Sequence, residues 1–173
     1  MEQKEKMLSK IESFRLPGFN EIPDVGLFLE QTTKYISNIL SPLEGITITS
    51  SMISNYVKRK LIKNPVKKQY DREQIAYLIF IAVAKSVLSL ENIQLFISLQ
   101  KKSYTAEISY EYFCHEFENI LRCVFERRAV SEMSGTKNRN TELKNMLRNT
   151  IITEVHKVYL ETFFATLDEE REE

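Results

Sequence analysis

Apolar residues recur every three or four positions through most of this chain, a spacing that places them on one side of an α-helix. Several of these stretches follow a residue that caps helix N-termini well, such as Asp24, Thr49, Asp71 and Ser89. All four prolines fall in the first 65 residues, and the remaining 108 contain no proline and one glycine. The pattern predicts helices over residues 24–40, 49–60, 71–86, 89–101, 109–128 and 141–167.

The segments between these helices carry helix breakers or lack periodicity. Residues 1–14 form either a short amphipathic helix or a frayed arm, and the proline-containing residues 16–23 form an irregular entry. The acidic residues 168–173 are expected to fray. Loops or extended segments are predicted at residues 41–48, 62–70 and 131–140.

The two longest predicted helices each carry a wide apolar stripe, the pattern of a helix packed nearly parallel or antiparallel to another. The first stripe consists of Tyr110, Phe113, Phe117, Ile120 and Val124. The second consists of Leu143, Leu147, Ile151, Val155, Val158 and Phe163. The two helices can form a hairpin, but their apolar faces need further cover. That cover comes either from the first-half helices or from a second copy of the chain.

Composition indicates a folded protein of one domain with an appendage, or of two small domains. The chain has 173 residues, of which 43% are hydrophobic and 28% charged, and 24 basic residues balance 24 acidic ones. The four glycines are not spaced as in nucleotide-binding loops. The N-terminal residues lack the apolar core of a signal peptide, and the longest apolar stretch is about half a membrane span. We therefore expect a cytoplasmic protein without a membrane partner.

Few residues offer catalytic or metal-binding chemistry. Cys114 and His115 are adjacent, but Cys123 falls on the opposite side of the same predicted helix and His156 lies in another element. A structural metal site needs about four converging ligands, and no catalytic triad is recognisable from spacing. We expect core thiols rather than a metal or redox site, no cofactor and no enzymatic activity. The aromatic residues of the second half, such as Tyr104 and Tyr112, form core or line a pocket for a small-molecule or protein effector.

The balanced net charge hides a basic segment. Residues 50–72 contain seven basic residues and a single acid, Asp71, so this segment carries +6 and the rest of the chain −6. Such a density of cations can neutralise several phosphates, which is the usual source of affinity for duplex nucleic acid. The alternative is a solvated charged face.

The helix predicted at residues 49–60 has two different sides. Ile53, Val57 and Leu61 recur every four residues and would pack on the preceding helix. The opposite side carries short or basic side chains that can reach base edges or phosphates in a groove. These are Ser51, Ser54, Asn55 and Lys58. A short helix of this kind after a helix and a loop fits the second member of a helix-turn-helix.

An ordered series of residues follows this helix: the Leu61-Ile62 step, Pro65, the basic run Lys67-Lys68-Gln69-Tyr70, and then Leu88-Ser89-Leu90-Glu91-Asn92-Ile93. With Thr49, Ile53, Tyr56, Ile75 and Leu78, this series resembles the DNA-binding domain of the MerR family of bacterial regulators. The resemblance covers about residues 46–97. It implies a winged helix-turn-helix with a recognition helix at residues 49–60, a wing at residues 67–70, and dimerisation through the helices that follow. This resemblance favours the second copy as the cover for the apolar stripes.

Several positions depart from the MerR pattern. Ser54 and Asn55 replace the usual Arg and Tyr of the recognition helix, Lys60 replaces the Gly that ends it, and the Gly of the wing tip is missing. The whole chain more closely resembles a domain-of-unknown-function family of Gram-positive bacteria. Members of that family carry an entry like residues 16–24 and a segment like residues 51–58.

These observations combine into one expectation, an all-α fold with a small β-wing. Residues 1–14 form an arm or helix, 15–102 a MerR-like winged helix-turn-helix, 103–167 a helical dimerisation or effector region, and 168–173 an acidic tail. The expected function is sequence-specific binding of double-stranded DNA by a homodimeric transcriptional regulator. The alternative is a protein-interaction module on the same scaffold without DNA binding. The expected DNA-binding residues are Thr49, Ser51, Ser54, Asn55, Tyr56, Lys58, Arg59, Lys63, Lys67 and Lys68. Tyr56 either donates to a phosphate or belongs to the core.

Overall fold

Seven α-helices, one 3₁₀ turn (Phe19–Glu21) and one pair of short strands make up the computed structural model, which describes residues 2–130 and 139–172. The helices are α1 (Glu2–Ile11), α2 (Leu29–Leu40), α3 (Ser50–Lys58), α4 (Arg72–Ala84), α5 (Leu90–Lys101), α6 (Ala106–Phe125) and α7 (Arg139–Glu172). The strands are β1 (Leu27–Phe28) and β2 (Gln69–Tyr70). A mostly helical fold with a small β element is therefore confirmed. Most of the predicted linker at residues 131–140 lies outside the described residues.

Side-chain hydrogen bonds confirm three of the predicted helix starts. The Thr49 hydroxyl accepts from the backbone N–H of Met52 at 3.2 Å, and the Ser89 hydroxyl accepts in the same way at the start of α5 at 3.1 Å. Asp71 and Gln74 form the predicted capping box. The Asp71 carboxylate accepts from the Gln74 N–H at 2.8 Å, and the Gln74 side-chain oxygen accepts from the Asp71 N–H at 2.9 Å.

The predicted start of α2 at Asp24 is wrong. Gly26 adopts a left-handed φ of 72°, and the chain then forms β1, in which Leu27 pairs with Tyr70 and Phe28 with Gln69. The helix begins only at Leu29. A short apolar run is compatible with either strand or helix, and here the backbone hydrogen bonds to β2 favour the strand.

The structure decides between the two alternatives at the N-terminus and corrects the prediction at the C-terminus. Residues 2–11 form the amphipathic helix, with Met7 and Ile11 buried, rather than a frayed arm. The acidic residues expected to fray instead continue α7 as far as Glu172. The carboxylate of Glu169 lies 2.8 Å from the Lys10 ammonium, so the last turns of α7 contact α1.

One continuous cluster of buried apolar side chains runs from Met7 to Val158. The centre of the cluster is α4, in which every residue from Gln74 to Ala84 is buried. The Phe80 ring lies 5.4 Å from the Phe113 ring of α6, centroid to centroid. The two halves of the sequence therefore share one core.

The apolar stripes of the two long helices are covered from within the chain. Phe113 and Phe117 are 2% and 0% exposed, and the Phe14 ring packs edge-on against Phe117 at 6.0 Å. Helix α7 contributes buried residues to the same cluster and packs on α1, α4 and α6. The first-half helices thus supply the cover, and these stripes give no support to the expected homodimer.

Candidate nucleic-acid interface

The outward side of α3 carries polar residues only. Ser51, Ser54, Asn55 and Lys58 are exposed, and their spacing of three, one and three residues places them on one side of a helix. Ile53, on the opposite side, is completely buried. The structure therefore presents four of the ten side chains expected to contact DNA on one solvent-facing surface, hereafter the α3 surface (Ser51, Ser54, Asn55 and Lys58).

Contacts with α2 hold the first turn of α3 in place. The hydroxyl groups of Thr33 and Ser50 lie 2.9 Å apart, and the Thr33 hydroxyl also lies within hydrogen-bonding distance of the Leu29 carbonyl, at 2.8 Å. The loop before α3 buries Leu43 and Ile48 in the core. The α3 surface is thus carried by an element fixed at its start and along its inner side.

Tyr56 belongs to the core. Its side chain is 2% exposed, and burial raises the pKa of its hydroxyl. Of the two roles open to Tyr56 from the sequence, burial favours the core role, and the expected phosphate contact finds no support. The reason is geometric, since Tyr56 lies three residues after Ile53 on the inner side of α3.

The end of α3 places a lysine in a backbone conformation that normally requires glycine. Lys60 has a φ of 61°, its N–H donates to the Val57 carbonyl at 2.9 Å, and the Leu61 N–H donates to the Tyr56 carbonyl at 2.9 Å. This is the Schellman end of a helix, in which the left-handed position is usually glycine. The lysine there costs about 1 kcal/mol of backbone strain.

A tight turn, hereafter the lysine turn (residues 66–69), places two more lysines in the same conformation. Val66 and Gln69 exchange two backbone hydrogen bonds of 3.1 and 2.9 Å. Lys67 and Lys68 form the two-residue tip, with φ values of 50° and 64°. Hairpin turns with positive φ at both central residues usually contain Asn-Gly or Gly-Gly. The lysine turn therefore combines backbone strain with two exposed ammonium groups.

The lysine turn and α3 are connected through β1 and the start of α2. Gln69 of the turn pairs with Phe28 of β1, and Leu29 follows as the first residue of α2. Thr33, one turn along α2, contacts Ser50 at the start of α3. The Gln74 side chain also donates to the Lys63 carbonyl at 2.9 Å, which fixes the segment between α3 and the turn.

Two of the seven basic residues in the segment 50–72 bind other groups of the protein itself. The Arg72 guanidinium donates to the Ile22 carbonyl at 2.9 Å and to the Asn20 side chain at 3.3 Å, so it fastens the entry segment. Arg59 lies 3.0 Å from the Glu91 carboxylate. Among the described residues, no ion pair engages the other five, which are all exposed. They are Lys58, Lys60, Lys63, Lys67 and Lys68.

The roles of Arg72 and Glu91 could not be found from the sequence, because their partners are distant along the chain. Arg72 lies 50 residues beyond Ile22, and Glu91 lies 32 residues beyond Arg59. Both residues follow helix-capping positions, where the helix dipole favours an acid such as Glu91 and disfavours a base such as Arg72. Neither preference identifies a distant partner.

The remaining candidates for chemistry are the two cysteines and possible metal ligands. Cys114 and Cys123 are buried and free, and burial raises the pKa of the Cys114 thiol to about 12. Within residues 2–130 and 139–172, no cluster of three or more His, Cys, Asp or Glu side chains could hold a metal ion. The helices in the same ranges are too short or too polar to cross a membrane.

A family model described as "Domain of unknown function (DUF1836)" matches residues 17–117, which is more than half of the chain. The chain belongs to this family. The DUF1836 match begins in the entry segment that Arg72 fastens, includes α3 and the lysine turn, and ends within α6. The candidate interface thus lies inside the family domain, whereas α7 lies outside it. No curated protein and no solved structure matches the chain.

Proposed function

We propose that this DUF1836 protein binds double-stranded DNA and acts as a sequence-specific transcriptional regulator. The observation that carries the proposal is the α3 surface beside five exposed lysines without ion-pair partners in the described structure. Short hydroxyl and amide side chains can read base edges in the major groove, and lysines can contact the phosphates on either side. A pattern of this kind on a helix that is packed from behind fits a recognition helix.

The proposal assigns a role to each part of the interface. Ser51, Ser54 and Asn55 face the bases, with Lys58 at the same surface or at the adjacent phosphates. Thr49, at the N-terminus of α3, contacts the backbone of the DNA, and Lys63 does so from the segment after the helix. Lys67 and Lys68 contact phosphates from the lysine turn, in the manner of the wing that the MerR resemblance implies. Arg59 can contribute when it separates from Glu91.

Charge reversal with a matched control tests the proposal. The variant Lys58→Glu/Lys67→Glu/Lys68→Glu and the wild type are titrated against a labelled random-sequence duplex over a series of salt concentrations. The slope of log affinity against log salt is negative, and each lost phosphate contact reduces its magnitude by about 0.9. The magnitude should therefore be smaller by about 3 in the triple variant than in the wild type. The affinity itself should fall by about 100-fold or more at low salt.

The control variant reverses three exposed cations elsewhere, Lys102→Glu/Arg122→Glu/Arg127→Glu. It changes the net charge by the same amount and should keep most of the wild-type affinity and slope. An equal loss in both variants would indicate attraction by net charge alone. Wild-type protein that shows no salt-dependent binding to duplex DNA would end the proposal.

The second candidate function, a protein-interaction module, is favoured by apolar side chains beside the lysine turn. Val25, Phe28 and Val66 are 82%, 49% and 73% exposed, and Phe28 and Val66 flank Gln69 in the paired strands. Exposed apolar side chains grouped in this way suit a protein partner. In that case the variant Val25→Ser/Val66→Ser would bind the protein partner more weakly and would bind duplex DNA as the wild type does.

A further inference from the structure

A cleft between α5, α6 and α7 lies apart from the basic surface. Its walls are apolar and aromatic, with Tyr104, Ile108 and Tyr112 on one side and Leu143 and Leu147 of α7 on the other. The cleft has a volume of about 80 Å³, below the usual range for drug-sized ligands, so it suits a small ligand that extends through its opening. A smaller space of about 20 Å³ shares Gln100, Ser109 and Leu147 with the cleft and extends towards Tyr77 and Phe80 of α4.

Two polar side chains line both cavities and make no side-chain hydrogen bond in the described structure. These are the carboxamide of Gln100 and the hydroxyl of Ser109. Ser109 is 8% exposed. Its hydroxyl is not one of the fully buried unpaired groups of the described residues, so it keeps some contact with solvent in the cleft. Apolar walls with a few polar groups available for bonding are the pattern of a ligand site.

The electrostatics of the cleft favour an anion. The Lys144 ammonium lines the cleft and lies 5.2 Å from the centre of the Tyr112 ring. A second lysine, Lys101, lies 4.5 Å from the centre of the Tyr77 ring, which lines the smaller space. The described residues show no carboxylate paired with either ammonium. A cation held over an aromatic ring remains available to a carboxylate.

Helix α5 joins this cleft to the basic surface. Gln100, in the last turns of α5, lines the cleft. Gln94, six residues earlier, donates to the carbonyls of Arg59 and Lys60 at 3.5 and 3.4 Å, and Glu91 pairs with the Arg59 side chain. Six helical residues span about 9 Å, so a shift of α5 at the cleft reaches the end of α3 through a rigid element.

We infer that this cleft binds a small organic acid, a carboxylate with an apolar or aromatic body, and that its occupancy alters the end of α3. The apolar body packs between Ile108 and Leu147, the carboxylate pairs with Lys144, and Gln100 and Ser109 donate hydrogen bonds. The consequence for DNA affinity rests on the proposed function, whereas the binding itself does not.

Phenylbutyrate, with phenylbutanol and phenylbutylamine as neutral and cationic counterparts, serves as the probe in an amide NMR titration. The carboxylate should shift the amide signals of Gln100 and Ser109 and bind about tenfold more tightly than the alcohol, as expected for one charge-assisted contact. Lys144→Gln should abolish that preference, and Lys102→Gln should keep it. Equal binding of all three probes, or no shift at millimolar phenylbutyrate, would overturn the site.

The same titration tests the link to α3. Phenylbutyrate should shift the amide signals of Arg59 and Lys60 in the wild type, and Gln94→Ala should reduce these shifts without changing affinity for the probe. If the amide signals of Arg59 and Lys60 do not shift at saturation with phenylbutyrate, the link between the cleft and α3 is rejected. If the wild type binds DNA, saturating phenylbutyrate should change that affinity at least about fivefold, as expected for coupling of about 1 kcal/mol. Failure to bind any duplex would count against the proposed function and would leave the result on the cleft intact.

Discussion

The guanidinium of Arg59 lies 3.0 Å from the carboxylate of Glu91, where the end of α3 meets the first turn of α5. Both side chains are largely exposed, at 50% and 75%, so the pair adds little to stability. Its main effect is electrostatic, because it neutralises one cation beside the α3 surface. The pair therefore limits the charge that this surface can offer to phosphates.

Glu91→Gln should strengthen duplex binding. The substitution frees Arg59 and removes a negative charge near the DNA, so the slope of log affinity against log salt should increase by up to about 1. The free energy of unfolding should change by less than about 0.5 kcal/mol, as it does for other exposed ion pairs. Fluorescence anisotropy over a salt series measures the slope, and Glu161→Gln on α7 serves as the control. Unchanged or weaker binding would show that Arg59 lies away from the DNA.

Replacing the turn lysines by glycine should change stability and binding in opposite directions. Lys67→Gly/Lys68→Gly relieves two left-handed residues and should raise the free energy of unfolding by about 1 kcal/mol. The same variant loses two cations and should bind duplex several-fold more weakly. Urea unfolding and anisotropy measure the two effects.

Arg127 provides a matched control for this pair of effects. It has a φ of 58° at the end of α6, with a hydrogen-bond pattern like that around Lys60. Arg127→Gly should therefore also stabilise the protein, by about 0.5 kcal/mol, and should leave DNA affinity unchanged. Weakened binding in both the Lys67→Gly/Lys68→Gly variant and this control would exclude a specific role for the turn.

The hydroxyl of Tyr110 is buried without a hydrogen-bond partner in the described structure. The neighbouring Cys114 thiol contributes to the raised pKa of Tyr110, after the larger effect of burial, but its geometry does not make a hydrogen bond. Removing an unsatisfied buried hydroxyl relieves its desolvation cost. Tyr110→Phe should raise the free energy of unfolding by about 1 kcal/mol, whereas Tyr110→Ala should lower it by about 3 kcal/mol through lost packing. Urea denaturation tests both, and a destabilised Tyr110→Phe variant would reveal an essential polar contact.

Glu154 predicts a pH dependence of stability. Its side chain is 1% exposed and accepts a hydrogen bond from Ser86. Burial raises the pKa of Glu154 above its ordinary value of 4.5, and the Ser86 hydrogen bond, Lys157 and Lys85 partly oppose this effect. Because the folded-state pKa is the higher one, the ionised carboxylate reduces stability at neutral pH, and that cost disappears as the pH falls towards the unfolded-state value.

Glu154→Gln should therefore be more stable than the wild type at neutral pH, with a difference that shrinks as the pH falls to about 4. Chemical denaturation across this range measures the difference. Glu161→Gln, on the exposed side of the same helix, should show no comparable trend. A Glu154→Gln variant that is less stable at neutral pH would mean that the attraction of Lys85 and Lys157 outweighs burial.

Local signals predicted the helices better than they predicted the surroundings of charged residues. Thr49 and Asp71 start helices as expected because a cap depends on residues only three positions away. The predicted helix start at Asp24 is wrong because the pairing of β1 depends on β2, more than 40 residues later. For the same reason the sequence identified the basic segment, but not that Arg72 and Arg59 are held by distant partners.

The homodimer prediction shows a related limit. A broad apolar stripe demands cover, but the pattern does not say which surface provides it. In this chain the segment after α1 and helix α4 provide it, since Phe14 and Phe80 pack on the rings of α6.

Hydrogen–deuterium exchange with and without a duplex selected from a random library shows which segments of the protein the DNA covers. DNA should protect backbone amides in two segments, residues 50–60 and residues 63–68. Helices α6 and α7 should exchange at the same rate in both states. Protection confined to the α6 and α7 helices, or no protection at a DNA concentration that saturates binding, would contradict the assignment of α3 and the lysine turn as the DNA-binding surface.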